Sequence, residues 1–176
     1  FCSHTYPSLK LPEDQQALWG GLVGDDLSTL ATDEYPTTLA VKLRGKTIEA
    51  LTVNGSPVTP DWTGYRLTLP GASLHAHNTV RVVYENLYDH TGDGFHQFID
   101  PEDGQEYLYS NFEPYESHRL FPCFNQPDIK ATYRLTVSAP AAWELVANSR
   151  EFSSTPLPDG RSRREFETTR PFSTYL

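Results

Sequence analysis

The stretch GFHQFIDPEDGQEYLYSNFE, residues 94–113, decides the fold. Its two flanks, GFHQFI and QEYLYSNF, alternate along the chain, and DPEDG at 100–104 lies between them. Pro101 supplies a φ of about −65° and Gly104 a left-handed residue, which together predict a tight antiparallel hairpin. Period two then carries Tyr107, Tyr109, Asn111 and Glu113 to one side of the second strand. A half-buried strand that sets an amide and a carboxylate in line with two tyrosines raises the question of what that side meets.

The same signal recurs outward from this hairpin. Val80, Val82, Tyr84 and Tyr88 share one parity within Asn78–Tyr88, and Ala131, Tyr133, Leu135 and Val137 alternate with Thr132, Arg134, Thr136 and Ser138. Thr38–Arg44, Tyr65–Leu69 and Phe95–Ile99 repeat it, so roughly nine strands are predicted. Asn54-Gly55 accepts the positive φ angles of a hairpin turn between TIEALTV and SPVTPDW. SSTPLPDGRSR, 153–163, is explained by another hairpin loop, with strand-like REFETT after it.

Helical signals are few. PEDQQALWG at 12–20 has Pro at a first-turn position, acids behind it and Gly at its end, which fits two turns of helix. PYESHRLF, 114–121, fits a second short helix between Pro114 and Pro122. Fourteen prolines and eleven glycines punctuate the rest. The expected fold is all-β, a large antiparallel sandwich or an open, partly curved sheet pair, with at most one or two short helices and residues 1–176 forming one domain.

Composition limits the function. The 38% hydrophobic and 21% charged content is that of a folding chain. With 23 acidic and 14 basic side chains the net charge is −9, which repels phosphate backbones and anionic lipid, so nucleic acid is not an expected partner. No apolar run reaches the ~18 residues of a membrane span. The start, FCSHTYPSL, has neither Met nor the order of a signal peptide and looks like a cut or processed end. Cys2 and Cys123 are too few for a disulfide scaffold, and they do not choose among cytosol, periplasm and cell surface, with cytoplasm slightly favoured.

No complete catalytic or metal motif is spelled out: H-E-x-x-H, G-x-S-x-G and a P-loop are all missing from the sequence. His75-Ala-His77 sits in a loop-like stretch with no third ligand beside it and is assigned to solvent. The chain itself is thus expected to hold no cofactor.

The run from Gly92 to Ser149, GDGFHQFIDPEDGQEYLYSNFEPYESHRLFPCFNQPDIKATYRLTVSAPAAWELVANS, resembles the amino-terminal domain of the aminopeptidase N family of zinc metallopeptidases. The shared words come in one order: a Gly-rich turn, an aromatic hairpin, a Gln-x-Glu segment, an Arg-x-Phe-Pro-Cys-Phe-Asp-x-Pro block, Lys-Ala, and a closing Thr-Val with Ala-Pro. FETTRPFSTYL at the end resembles the strand by which such domains lead into the catalytic one. VNGSPV and the strand at 78–84 are weaker matches, and residues 1–36 match poorly. The resemblance implies a saddle-shaped β-sandwich packed against a zinc-bearing catalytic domain of the same polypeptide, the zinc and its ligands lying in that other domain. It further implies that Glu113 binds the α-amino group at a peptide's amino terminus, with Asn111 in the place of the more frequent Gln. Asn125 stands where the family generally has Asp.

Chemistry makes that role intelligible. A chain end differs from an internal amide by one ammonium with three donors, which a fixed carboxylate satisfies. An internal peptide leaves the same carboxylate desolvated and unpaired. Pro114 favours an extended Glu113, and Asn111 beside it is able to donate to the carboxylate or accept from the amine. The plainer alternative makes Glu113 a solvated strand-end acid or the partner of Arg119. Arg119, Phe121, Cys123, Phe124 and Pro127 are read as structural, Asn125 as a turn cap, and Tyr107 and Tyr109 as sandwich packing. An independent β-sandwich module binding protein or carbohydrate, without peptidase activity, is the alternative function.

Overall fold

The computed structural model describes residues 38–75 and 77–176. Cys2 and the helix expected over 12–20 lie outside them. Eleven strands follow in order: β1 Thr38–Lys42, β2 Thr47–Val53, β3 Ser56–Pro57, β4 Asp61–Trp62, β5 Arg66–Pro70, β6 Val80–Glu85, β7 Gly94–Ile99, β8 Glu106–Asn111, β9 Thr136–Pro140, β10 Glu151–Pro156 and β11 Arg161–Phe166. They form sheets β1-β5-β4, β3-β2-β6, β7-β8 and β10-β11-β9, and every ladder is antiparallel. The described residues are all-β.

Local chemistry accounts for the turns. Asn54 and Gly55 both take positive φ, 52° and 80°, the combination that joins β2 to β3. Gly104, at φ 70°, closes the β7–β8 hairpin, with Gly104 N–H donating to Asp100 O at 2.8 Å. The stretch 153–163 is a hairpin, but a tighter one than its composition suggests: the strands run to Pro156 and resume at Arg161.

Alternation turns into burial at β5, where Leu67 and Leu69 are fully inside and their neighbours are not. Together with Leu43, Leu51, Val53, Val80 and Val82 they form one core between the β1-β5-β4 and β3-β2-β6 sheets. A second core, Val137, Ala139, Leu145 and Phe166, lies under the last sheet. Between them sits an aromatic knot in which Phe112 meets Phe121 edge-on at 5.8 Å.

Two expectations change. The strand predicted from Ala131 enters its ladder only at Thr136. Residues 131–135 run extended against 166–172, with Ala131 and Phe172 exchanging backbone bonds of 3.2 and 3.1 Å and Thr169 N–H donating to Tyr133 O at 2.9 Å. The helix expected over 114–121 is a turn followed by a 3-10 segment, Ser117–Arg119. Tertiary contacts anchor its end: Arg44 N–H takes the His118 carbonyl at 2.7 Å, Asn86 Nδ2 the Arg119 carbonyl, and Tyr84 hydroxyl the Leu120 carbonyl at 2.6 Å. Within it Tyr115 O, the acceptor an α-helix would offer to Arg119 N–H, takes Asn125 Nδ2 instead, and Arg119 N–H donates to Glu116 O at 3.0 Å.

Candidate functional site

The exposed margin where β8 ends is built from the hairpin upward. Along β8 the side chains alternate outward and inward, with Leu108 inside and Tyr107, Tyr109 and Asn111 outside. The alternation outlasts the strand, since Phe112 is buried and Glu113 exposed. Tyr107 and Tyr109 are therefore not packed within the sandwich: they keep 48% and 41% of their surface, because the inner face of this two-stranded ribbon is already occupied by Leu108 and Phe95. On the outer face Tyr109 packs against His96, centroids 4.9 Å apart, and Tyr107 lies opposite Phe98.

Phe112 to Glu116 form a closed turn, with Glu116 N–H donating to Phe112 O at 2.7 Å. Glu113, Pro114 and Tyr115 are its exposed tip, and the Glu113–Pro114 peptide is cis. Asn111 turns its amide away from this tip: Nδ2 donates to Gly92 O at 3.2 Å and Asp93 Oδ1 at 3.4 Å. Its amide oxygen has no hydrogen-bond partner among the described residues. Glu113 itself has no hydrogen bond or ion pair among the described residues.

Arg119 is not its partner. Arg119 Nε binds Glu116 Oε2 and Arg119 NH1 lies 3.2 Å from Asp89 Oδ1. Arg44 binds the same Asp89 oxygen from the other side, and Phe95 N–H donates to Oδ2 at 3.2 Å. The other nearby cation, Lys42, stands 5.9 and 5.7 Å from the centroids of the Tyr65 and Tyr115 rings, a cation–π arrangement. Each base around the tip is thus engaged away from Glu113.

Asp89, buried at 6% exposure, is the residue that sequence reasoning missed. Nothing in NLYDHTG distinguishes it from an ordinary turn acid. Its backbone joins the hairpin, N–H to Phe95 O and O to Gln97 N–H, each at 2.8 Å. Asn125 also does more than cap a turn. At φ 54° and buried, it donates through Nδ2 to the Tyr115 carbonyl, pinning the tip from below. The same amide lies 2.7 Å from His118 Nδ1. Burial lowers the His118 pKa below its ordinary value, only partly offset by the Tyr115 carbonyl at 3.0 Å and the Glu116 charge. Cys123 is buried beside Lys42, and burial pushes its thiol up to about 12; it is no nucleophile.

His75 and His77 are exposed on their loop, and Asn78 closes it by donating to His75 O at 2.7 Å. Among the described residues no three His, Cys, Asp or Glu side chains gather as a metal site. These residues do not fit a zinc centre.

An antiparallel β-sandwich with a polar hairpin margin, and no metal-ligand cluster among its described residues, is the class that fold and site define. The chain belongs to the Peptidase M1 N-terminal domain family, whose model matches residues 34–176. It is 38% identical over 139 residues to aminopeptidase N of Streptomyces lividans, a match covering 77% of this chain and 15% of that protein. Human glutamyl aminopeptidase is 32% identical over 85 residues, 47% of this chain and 9% of that one. Among solved structures, a two-domain M1 zinc metallopeptidase mutant bound to L-arginine superposes with a TM-score of 0.60 at 23% identity, over 79% of this chain and 33% of the other. An M1 zinc metallopeptidase from Deinococcus radiodurans gives 0.61 at 22%, over 79% and 32%. The chain spans less than a sixth of the Streptomyces enzyme and about a third of these solved chains.

Proposed function

We propose that this chain is the amino-terminal domain of a zinc-dependent aminopeptidase that removes amino-terminal residues from peptides, and that Glu113 holds the substrate's α-ammonium group. The observation that carries this reading is a carboxylate at the exposed tip of an anchored turn, left without a cation while Arg44, Arg119 and Lys42 all have other partners. In open solvent a pair formed there would contribute only about 0–1 kcal/mol; covered by a second domain that excludes water it contributes far more. Asn111, with its amide donor occupied, offers its oxygen as a second acceptor to the ammonium. The outward face of β7–β8, with Phe98, Tyr107 and Tyr109 each more than 40% exposed, is where the catalytic domain of the same polypeptide would pack. Zinc and the hydrolytic chemistry belong to that domain, and this chain contributes recognition.

The test is Glu113→Ala and Glu113→Gln in a polypeptide carrying this chain together with its zinc domain. Loss of a charge-assisted contact made to the bound substrate lowers kcat/KM for a small aminoacyl substrate about 10- to 100-fold, without a change in Tm, since Glu113 is exposed. Unchanged kinetics at wild-type Tm would sink the assignment.

A further inference from the structure

We propose that Arg119 is a positioning residue for Glu113: it clamps the far end of the Phe112–Glu116 turn to the buried Asp89, and it is so fully engaged there that it does not compete for the Glu113 carboxylate. This rests on the reading of Glu113 as the ammonium-binding group. The clamp is a chain of contacts. Glu116 N–H donates to Phe112 O at 2.7 Å, which closes the turn. The Glu116 carboxylate is held by Arg119 Nε, and Arg119 NH1 lies 3.2 Å from Asp89 Oδ1. Asp89 is tied in turn to β7 through Phe95 N–H at 3.2 Å, and the first residue of β7, Gly94, pairs across the hairpin with Asn111. The contacts therefore run in a ring, from the end of β8 through the turn, Glu116, Arg119 and Asp89, and back to the strand that carries Asn111. Both recognition residues are referenced to one rigid frame.

Charge supports the same conclusion. Asp89 and Glu116 face Arg44 and Arg119, two acids against two bases. That cluster is neutral and the Glu113 charge is left uncompensated for an incoming cation. If Glu116 lost its charge, Arg119 would keep Asp89 as its only anionic partner, and an unfastened turn would bring Glu113 within its competition.

The experiment uses the polypeptide that includes the zinc domain and compares Glu116→Gln, Arg119→Met and Arg119→Lys, each with and without Glu113→Ala. Hydrogen exchange of the segment 112–117 is expected to accelerate in Glu116→Gln and Arg119→Met, with the β6 segment unchanged and Arg119→Lys intermediate. KM for a small aminoacyl substrate is expected to rise about tenfold, with kcat changed much less, because a displaced turn misplaces a ground-state contact. In the Glu113→Ala background the same changes should add much less to KM, only what the displacement of Asn111 costs, as expected for residues acting through one another. Unaltered exchange in both Glu116→Gln and Arg119→Met overturns the clamp whatever Glu113 does. Equal KM effects with and without Glu113 overturn it as well. A kinetically silent Glu113→Ala counts instead against the ammonium-binding reading, and exchange then decides the clamp alone. Should Arg119→Met fail to fold, Glu116→Gln, whose altered side chain stays partly in solvent, carries the test.

Discussion

Gly94 lies so close over Arg119 that a β-carbon on it would fall 2.7 Å from the arginine Cδ and 2.3 Å from Asp89 Oδ2. Its φ of 75° is in the left-handed region as well. Both facts disfavour a side chain, and the first arises because the Asp89–Arg119 pair fills the space beneath the start of β7. Gly94→Ala is therefore expected to cost about 2 kcal/mol or more, measured as a lower urea midpoint. A variant as stable as wild type would mean that the pair does not sit under Gly94.

Cys123, inside the aromatic knot, should be chemically silent. Burial that pushes its thiol up to about 12 leaves almost no thiolate at pH 8. In a Cys2→Ser background, a disulfide reagent at pH 8 should label the native chain only at the rate of unfolding, and label it at once in guanidinium. Fast native labelling would contradict the packing.

His118 predicts a pH dependence with a definite sign. Its folded pKa lies below the ordinary value of about 6.5 because of burial. Between the two values the unfolded state binds the extra proton, so stability rises with pH. The stabilisation is complete above about pH 6.5 and is lost as pH falls toward the folded pKa. Denaturant midpoints of wild type and His118→Gln from pH 8 to pH 5 should show wild type losing its advantage on acidification. A gap independent of pH would exclude a depressed pKa.

Tyr84 donates its hydroxyl to Leu120 O at 2.6 Å, and burial raises its pKa so that it stays protonated. Tyr84→Phe keeps the ring and orphans that carbonyl. The expected loss is about 1 kcal/mol, read from chemical denaturation. No loss would show that water satisfies Leu120 in its place.

Much of this molecule is written locally. The runs 66–70, 94–99 and 106–111 are strands because their period is two, and Asn54-Gly55 and Asp100–Gly104 are turns because their residues accept the φ angles that turns require. Both hairpins follow from neighbours a few positions apart, and so does the parity that Asn111 and Glu113 share with Tyr107 and Tyr109. The all-β class was legible for this reason, and the order of motifs from Gly92 to Ser149 pointed to the family that the profile match then showed.

What periodicity cannot express is which distant side chains share a space. Arg44 and Asp89 are 45 positions apart, Asp89 and Arg119 are 30, and Ser117 reaches Thr174 across 57. A strand pattern does say that Tyr107 and Tyr109 share a face, but not which face has a core behind it. Only the folded chain decided that Arg119 turns to Asp89 and Glu116, that the tyrosines look outward, and that 114–121 stops short of an α-helix. Each outcome depends on partners that local sequence does not hold: a buried charge goes to whichever opposite charge the fold brings within reach, and a carbonyl taken by a side chain from outside the segment, as Asn125 takes Tyr115 O, is no longer available to a helix.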